Sequence, residues 1–186
     1  MKQAKVLSER ELKRVLAVTR DGKHAERNCL AISLSFYAGL RVKEVASLLL
    51  SDVFTVGGQV KQFVYLSADK SKGHARTIVI NNHLATLLKQ YAQVIDTTKS
   101  DKPLIASQKG QFSPNALCQL FGRLYKEAGL ENCTSHSGRR SFITNLAHKG
   151  VSAKVLMTLA GHQNLSTTQR YIDVNDNMLA AAVELV

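Results

Sequence analysis

A short polar stretch of the sequence, GHQNLSTTQRY at 161–171, contains two groups that could take part in chemistry. It follows the apolar run VSAKVLMTLA and ends in Tyr171, whereas the other tyrosines lie in apolar patterns, where packing in the core is the default role. Ser166, a possible helix cap, precedes this tyrosine. Tyr171 is therefore a candidate nucleophile. His162, at the end of the preceding helix, is a candidate partner, and its alternative role is to satisfy helix carbonyls.

The segment HSGRR at 136–140 supplies a second group of candidates. His136 and Arg139 are spaced i, i+3 at the predicted start of a helix, so their side chains project to the same side. The amino terminus of a helix adds partial positive charge, and the segment therefore indicates an anion site. The alternative is a solvated helix cap with cations. Cations weaken a helix amino terminus unless an anion compensates for them, which counts against this alternative, but both interpretations stay open.

Arg41 and Lys72 are the remaining cationic candidates. Arg41 follows a helix that is predicted to end at Gly39, and its alternative role is a surface ion pair with Glu44. Lys72 lies in a connection between two predicted strands, where its alternative role is simply an exposed lysine. Lys70, two residues earlier, is the second choice for an acid in this connection.

These candidates match the requirements for breaking a phosphodiester without a metal ion. Such a reaction needs a nucleophile, cations on the non-bridging oxygens and an acid for the leaving oxygen. The acidic residues are scattered and mostly pair with cations along helices, so a metal-dependent nuclease site is not expected. Cys29, Cys118 and Cys133 lie far apart and form no C-x-x-C pair, which indicates neither a zinc site nor a disulfide framework. We expect no metal ion and no cofactor.

The charge of the chain points to a polyanionic partner. The 186 residues include 25 Lys and Arg against 14 Asp and Glu, a formal net charge of +11. A globular chain this basic most often binds nucleic acid, and an anionic membrane surface is the weaker alternative because no basic amphipathic helix stands out. The longest apolar run, LAISLSFYAGL, is too short to span a bilayer, and the amino-terminal segment lacks the apolar region of a signal peptide. We expect a cytoplasmic, nucleoid-associated protein.

Hydrophobic periodicity predicts a mainly α fold with a small three-stranded antiparallel sheet, an α+β domain. Ser8 and Glu11 form a capping-box pattern, Ser113 precedes Pro114 as a helix start, and Ser137 and Ser152 are further predicted caps. The predicted helices are SERELKRVLAVT, AERNCLAISLSFYAGL, VKEVASLLL, HLATLLKQYAQVI, a segment from Ser113 to Gly129, RRSFITNLAHKG, AKVLMTLAG and NDNMLAAAVELV. The predicted strands come from DVFTVGGQVKQFVYLSA and ARTIVI.

Taken in order, the candidate residues resemble the catalytic set of the tyrosine recombinases, a family that includes the phage integrases and bacterial inversion and chromosome-resolution recombinases. The resemblance is carried by GLRVKEVASLLLSDV, SKGHARTIVI, SHSGRRSFITNLAHKG and LAGHQNLSTTQRYIDV. It covers the chain from about residue 8 to 175. The resemblance is specific, because these four stretches contain five separated motifs in the same order and at similar spacing: Arg41, Lys72, His136-x-x-Arg139, Gly161-His162 and Tyr171.

The resemblance implies a role for each candidate residue. Tyr171 would attack the scissile DNA phosphate and form a 3′-phosphotyrosyl link, while Arg41 and Arg139 hold the non-bridging oxygens. Lys72 would protonate the leaving 5′-oxygen. His136 would assist proton transfer at the tyrosine. His162 would donate a hydrogen bond to the phosphate, and Glu44 would support Arg41. The implied activity is site-specific integration, excision or inversion of DNA, without metal or ATP.

The resemblance also implies an arrangement of domains and partners. Residues 1–186 are expected to form one catalytic domain without the amino-terminal core-binding domain of many relatives, with 174–186 as a possible docking helix. The expected partners are double-stranded DNA, on which the chain would form a homotetramer through its carboxyl-terminal helix, and accessory recombination proteins. Two alternatives remain: a catalytically idle DNA-binding module that acts with another recombinase, and an enzyme of the type IB topoisomerase kind, which shares the Tyr, Arg and Lys chemistry.

Overall fold

The computed structural model describes residues 3–71, 74–172, 179–180 and 183–184. Lys72 and most of the predicted carboxyl-terminal helix lie outside these residues. The elements within them are α1 (Glu9–Arg20), α2 (Ala25–Ala38), α3 (Val42–Ser47), α4 (Leu50–Val53), β1 (Phe63–Leu66), β2 (Arg76–Val79), α5 (Asn82–Ala92), β3 (Ala106–Ser107), β4 (Gly110–Gln111), α6 (Pro114–Glu127), α7 (Ser137–His148), α8 (Ala153–Ala160) and α9 (Leu165–Gln169).

Polar caps and glycines fix several of the helix ends, and those at Ser8, Ser113, Ser152 and Gly39 confirm the sequence-based boundaries there. The segment VKEVASLLL, predicted as one helix, instead ends as α3 at Ser47, and Leu50 begins α4. The Ser8 hydroxyl accepts the N–H of Glu11, and the Glu11 carboxylate accepts the N–H of Ser8, which forms the predicted capping box of α1. Ser113 and Ser152 cap α6 and α8 in the same manner. Helix α2 ends where Gly39 adopts a left-handed φ of 63°.

The prediction that Ser137 caps α7 is wrong. Ser137 is the first residue of that helix and is fully buried, and His136 occupies the cap position without a side-chain cap hydrogen bond. The Ser137 hydroxyl instead accepts the backbone N–H of Thr134, 2.9 Å away. The hydroxyl therefore orders the turn before α7 rather than the helix itself.

A small antiparallel sheet is present as predicted, but among the described residues it has two strands rather than the predicted three. Strands β1 and β2 pair in antiparallel register, with Phe63 opposite Val79. The segment predicted as the first strand begins inside α4, and its Phe54 joins Val60 only by an isolated bridge. The reason is local, because the Asp52 carboxylate accepts the N–H of Leu49 at 2.8 Å and closes a short helical turn. A separate hairpin, β3–β4, forms farther along the chain.

Helix α2 is the central element of the core. It packs against α1, α5 and α7, and residues on nearly all of its faces, such as Leu30, Ile32 and Leu34, are buried. A helix that is apolar all round belongs in the interior, which explains why the longest apolar run of the sequence forms this helix. No helix among the described residues is both long and apolar enough to cross a bilayer.

Candidate active site

Arg41 lies at the junction between α2 and α3, where it makes hydrogen bonds with two parts of the chain. Its backbone N–H donates to Glu44 Oε2 at 2.7 Å, and its Nη1 donates to Glu44 Oε1 at 2.9 Å. Its Nη2 donates to the carbonyl of Gly161 at 3.2 Å, at the end of α8. The predicted ion pair with Glu44 thus exists, and the same guanidinium also reaches the segment that carries His162.

Glu44 is the buried carboxylate at the centre of this arrangement, with a side chain that is 0% exposed. Besides Arg41, it accepts hydrogen bonds from Arg76 Nε at 3.2 Å, from Arg76 Nη2 at 2.7 Å and from the Ser71 hydroxyl at 2.9 Å. Burial by itself would raise the pKa of Glu44. The hydrogen bonds and charges of the two arginines outweigh this effect and lower the pKa to about 2.

Arg139 on α7 joins the ends of two other helices. Its Nη1 donates to the carbonyl of Gly39 and its Nη2 donates to the carbonyl of Ala160, each at 2.6 Å. The residue is only 5% exposed. Burial, followed by repulsion from Arg41 and Arg76, lowers its pKa to about 9. Arg139 is therefore a buried cation placed at the meeting point of α2, α7 and α8.

Tyr171 and His162 are brought together by the polar stretch that connects them. Their rings stack with centroids 5.8 Å apart and an interplanar angle of 26°. His162 Nδ1 lies 3.0 Å from the hydroxyl of Thr168, which is fully buried. Burial first, and then the charges of the neighbouring arginines, lower the pKa of His162 to about 4, so the ring is neutral near pH 7.

The polar stretch itself is a short helix rather than a loop. Helix α9 begins after Asn164, which occupies the cap position, so Ser166 lies inside the helix and the prediction that it is a cap is wrong. The carbonyl of Thr168 accepts the N–H of Tyr171 at 2.9 Å, which continues the turn. The buried Thr168 thus anchors the helix and holds Tyr171 next to His162.

Two adjoining cavities surround these groups, and they share Thr167. One has a volume of about 430 Å³ and contains Tyr171 and Arg139 in its wall, with the exposed His136 at its edge. The other, about 530 Å³, contains Arg41 and His162. Among the described residues, the lining of both cavities includes arginine and histidine but no carboxylate, so both favour an anion. The first cavity is lined by Gln3, Ala4, Thr134, His136, Arg139, Arg140, Thr167, Arg170 and Tyr171. The second cavity is lined by Arg41, Ser71, His74, Ala75, Arg76, Thr77, Met157, Thr158, Gly161, His162, Gln163, Asn164 and Thr167.

The sequence reasoning missed Arg76 and Arg140. Arg76 opens strand β2, whose alternating burial points it inward, and a cation at an inward position of such a strand is a signal for a buried carboxylate partner. The Arg140 guanidinium lies 5.8 Å from the centroid of the Tyr171 ring. Its buried Nε has no hydrogen-bond partner within the described part of the chain. No sequence signal distinguished Arg140 from an ordinary helix cation.

The structure describes only one of the two lysines that were considered as the general acid. Lys72 lies outside the described residues, so its role stays a prediction. The ammonium of Lys70, the second choice, forms an ion pair with Asp52 at 2.5 Å. This pairing holds Lys70 beside α4, and it makes Lys70 the weaker candidate.

The fold and the cavities together define an α-rich protein with a cationic site that favours an anion. The profile of the Phage integrase family matches residues 5–178, and the chain belongs to that family. It is 33% identical over 185 residues to the tyrosine recombinase XerA of Pyrococcus horikoshii, an alignment that covers 97% of this chain and 60% of the relative. It is 29% identical over 177 residues to the tyrosine recombinase XerD of Oceanobacillus iheyensis, covering 91% of this chain and 57% of that protein.

Solved structures give the same fold. A crystal structure of XerA recombinase superposes with a TM-score of 0.76 at 25% identity and covers 100% of this chain and 64% of the other. The Tn1549 transposon integrase in complex with transposon right end DNA superposes with a TM-score of 0.78 at 19% identity, over 100% of this chain and 67% of that one, and shows the fold alone. The chain spans about three fifths of the length of the relatives that it matches.

Proposed function

We propose that the protein is a site-specific DNA recombinase that cleaves and rejoins DNA through a 3′-phosphotyrosyl intermediate, and that residues 1–186 act as its catalytic domain. The observation that carries the proposal is the stacking of Tyr171 on His162 beside cavities lined by Arg41 and Arg139. In this proposal the nucleophile, Tyr171, lies next to a buried cation, Arg139, and a half-buried one, Arg41. Membership in the phage integrase family and the similarity to tyrosine recombinases support the same activity.

In the proposed reaction, Tyr171 attacks the scissile phosphate of double-stranded DNA. A bond forms between the phenolic oxygen and phosphorus, the bond to the 5′-oxygen breaks, and that oxygen takes up a proton. His136, at the edge of the cavity that contains Tyr171, assists the removal of the phenolic proton, and Lys72 protonates the leaving oxygen. Attack of a 5′-hydroxyl on the phosphotyrosine reverses the step and releases the tyrosine. Because each bond broken is replaced by one of the same kind, the exchange needs no ATP. In this proposal the cationic side chains supply the charge that a metal ion supplies in other phosphoryl-transfer sites.

The arginines are suited to hold the phosphate because only part of their hydrogen-bonding capacity is engaged. A guanidinium has five N–H groups, and Arg139 uses one on each terminal nitrogen for the carbonyls of Gly39 and Ala160. Arg41 likewise uses one on each, for Glu44 and Gly161. The remaining N–H groups donate to non-bridging oxygens, where planar guanidinium groups match the geometry of a phosphate.

His162 contributes as a neutral hydrogen-bond donor. Its lowered pKa of about 4 keeps the ring uncharged near neutral pH. When the Thr168 hydroxyl donates to Nδ1, the proton of the ring resides on Nε2, from which it is donated to a phosphate oxygen. A neutral donor stabilises the developing charge without adding a further cation to a cluster that already contains several.

The test is covalent trapping by the 186-residue chain. A pool of nicked suicide duplexes with randomised sequence around the nick is incubated with the protein, and adducts are separated on a denaturing gel and sequenced. Wild type should form an adduct whose linked peptide, identified by mass spectrometry, contains Tyr171. Tyr171→Phe should form none, whereas Tyr65→Phe, at an exposed tyrosine of β1, should behave like wild type.

Each other outcome has a definite meaning. If wild type binds DNA but forms no adduct, the activity is wrong and the protein is an idle DNA-binding module of the same fold. If Tyr171→Phe still forms the adduct, the activity stands but the nucleophile has been misassigned. Reciprocal exchange of strands between two duplexes, followed by religation, distinguishes a recombinase from an enzyme that only relaxes supercoils.

A further inference from the structure

Arg76 is a buried cation of the site to which no role has been given so far. It is 9% exposed and opens strand β2, from which it reaches both α3 and α8. Its Nε and Nη2 donate to the two carboxylate oxygens of Glu44, and its Nη1 donates to the carbonyl of Leu159 at 2.6 Å. One side chain thus connects the carboxylate that holds Arg41 with the end of the helix that precedes His162.

The geometry around Glu44 shows what Arg76 does for Arg41. Arg76 takes the side-on position, with one donor for each carboxylate oxygen, which is the strongest arrangement for a guanidinium and a carboxylate. Arg41 contacts the same carboxylate through a single guanidinium nitrogen, Nη1. Without Arg76, the buried charge of Glu44 would face Arg41 as its main counter-ion. Arg41 would then be drawn into the side-on position and away from the cavity.

The contact with α8 shows what Arg76 does for His162. Gly161 has a left-handed φ of 62°, and a Cβ at this position would overlap with Arg76 Cδ. The stem of Arg76 therefore occupies the space that the glycine leaves open. Because His162 follows directly, the close approach of Arg76 and the bond to Leu159 fix where the imidazole begins.

We propose that Arg76 is a positioning residue of the reaction. It neutralises and orients Glu44 so that Arg41 keeps its free N–H groups toward the phosphate, and it fixes the end of α8 so that His162 faces the same anion. This inference rests on the proposed function, since it assigns Arg76 a part in the cleavage step. It does not require Arg76 to touch DNA.

The experiment compares trapping rates, DNA affinity and thermal stability for variants at this contact, using one duplex recovered from the selection described above. Arg76→Gln should slow adduct formation about 100-fold, since a displacement of the reacting groups by about 1 Å has an effect of that size. Arg76→Lys should recover part of the rate, because an ammonium restores the charge but not the side-on geometry. Arg10→Gln, which removes an exposed arginine of α1, is the matched control and should leave the rate unchanged.

The decisive variant is the pair Glu44→Gln with Arg76→Gln. If Arg76 acts by keeping Glu44 from capturing Arg41, removing the carboxylate as well should make the pair cleave about tenfold faster than Arg76→Gln alone. If Arg76 only supports the fold, the pair should be as slow or slower, and its melting temperature should fall further. That result would overturn the proposal, as would a wild-type rate for Arg76→Gln.

Two further outcomes are separated by the same measurements. If Arg76→Gln does not fold, Arg76→Lys decides the matter: slower trapping at unchanged DNA affinity supports the proposal, and an unchanged rate overturns it. Failure of wild type to form any adduct refutes the recombinase activity itself. It is therefore distinct from a failure of the role of Arg76, which shows only when wild type is active.

Discussion

Glu44→Gln is expected to destabilise the protein, and the structure allows the size of the effect to be worked out. A carboxylate whose pKa falls from 4.5 to about 2 on folding stabilises the folded protein at pH 7 by about 3 kcal/mol. A glutamine removes that charge and directs N–H donors at the guanidinium groups of Arg41 and Arg76. The loss of about 3 kcal/mol should lower the melting temperature of a chain of this length by roughly 6–12 °C.

The pH dependence of this difference gives the sharper assay. Because the folded pKa of Glu44 lies below its unfolded value of 4.5, the stabilisation is fully present above that pH and is lost as the pH falls toward 2. In urea titrations, the gap in unfolding free energy between wild type and Glu44→Gln should be about 3 kcal/mol at pH 7 and should shrink to about 1 kcal/mol at pH 3.

The control for this series is Glu127→Gln, which makes the same substitution at an exposed position of α6 and should change stability by less than about 0.5 kcal/mol at every pH. A Glu44→Gln protein as stable as wild type at pH 7 would refute the view that the buried carboxylate is ionised. So would a gap that stays constant between pH 7 and pH 3.

Three further predictions concern the groups around the cavities. Gly161→Ala should lower the unfolding free energy by more than about 1 kcal/mol, measured by urea titration, because the φ of 62° disfavours a side chain and the added Cβ would meet Arg76. The same variant should slow the trapping of DNA, measured on denaturing gels. In an NMR titration, the His162 ring should show a midpoint near pH 4, and a midpoint near 6.5 would contradict the burial described. The unfolding free energy should fall as the pH drops below 6.5, because in that range the unfolded chain takes up a proton and the folded chain does not. Arg139→Ala should abolish trapping and retain salt-sensitive DNA binding, measured by fluorescence anisotropy at several salt concentrations, since other phosphate contacts supply non-specific affinity. Residual trapping near the wild-type rate would exclude the assigned role.

The sequence was most informative where local chemistry alone determines the structure. The cap at Ser8, the cap at Ser113 and the glycine stop at Gly39 act within one helical turn, so they could be recognised without a fold. The pairing of Arg41 with Glu44 is also local, at a spacing of three residues. These features fix helix ends, and through them the position from which a side chain such as that of Arg41 begins.

Contacts between segments that are distant in the sequence could not be predicted from local patterns in this way. Arg76 and Glu44 are 32 residues apart, and their bond depends on how β2 packs beside α3 and α8. The wrong assignment of Ser137 as a cap has a similar origin, because its hydroxyl turns back to Thr134 and the residue is buried against the core. The strand predicted around Phe54 was displaced by a helical turn whose capping depends on a single carboxylate.

The charge balance of the arginine cluster gives a physical reason why the site should bind the transition state of the proposed reaction more tightly than it binds other anions. Arg41, Arg76 and Arg139 lie around the buried carboxylate of Glu44, and burial together with mutual repulsion lowers the pKa of Arg139 to about 9. An anion placed between these groups relieves repulsion that the fold otherwise opposes, and the relief grows with the charge on the anion. In the proposed displacement at phosphorus, charge on the non-bridging oxygens would change while the arginines remain fixed by carbonyls and by Glu44. Groups that are already oriented need no reorganisation as the charge develops, which is the condition for stabilising the transition state more than the bound substrate.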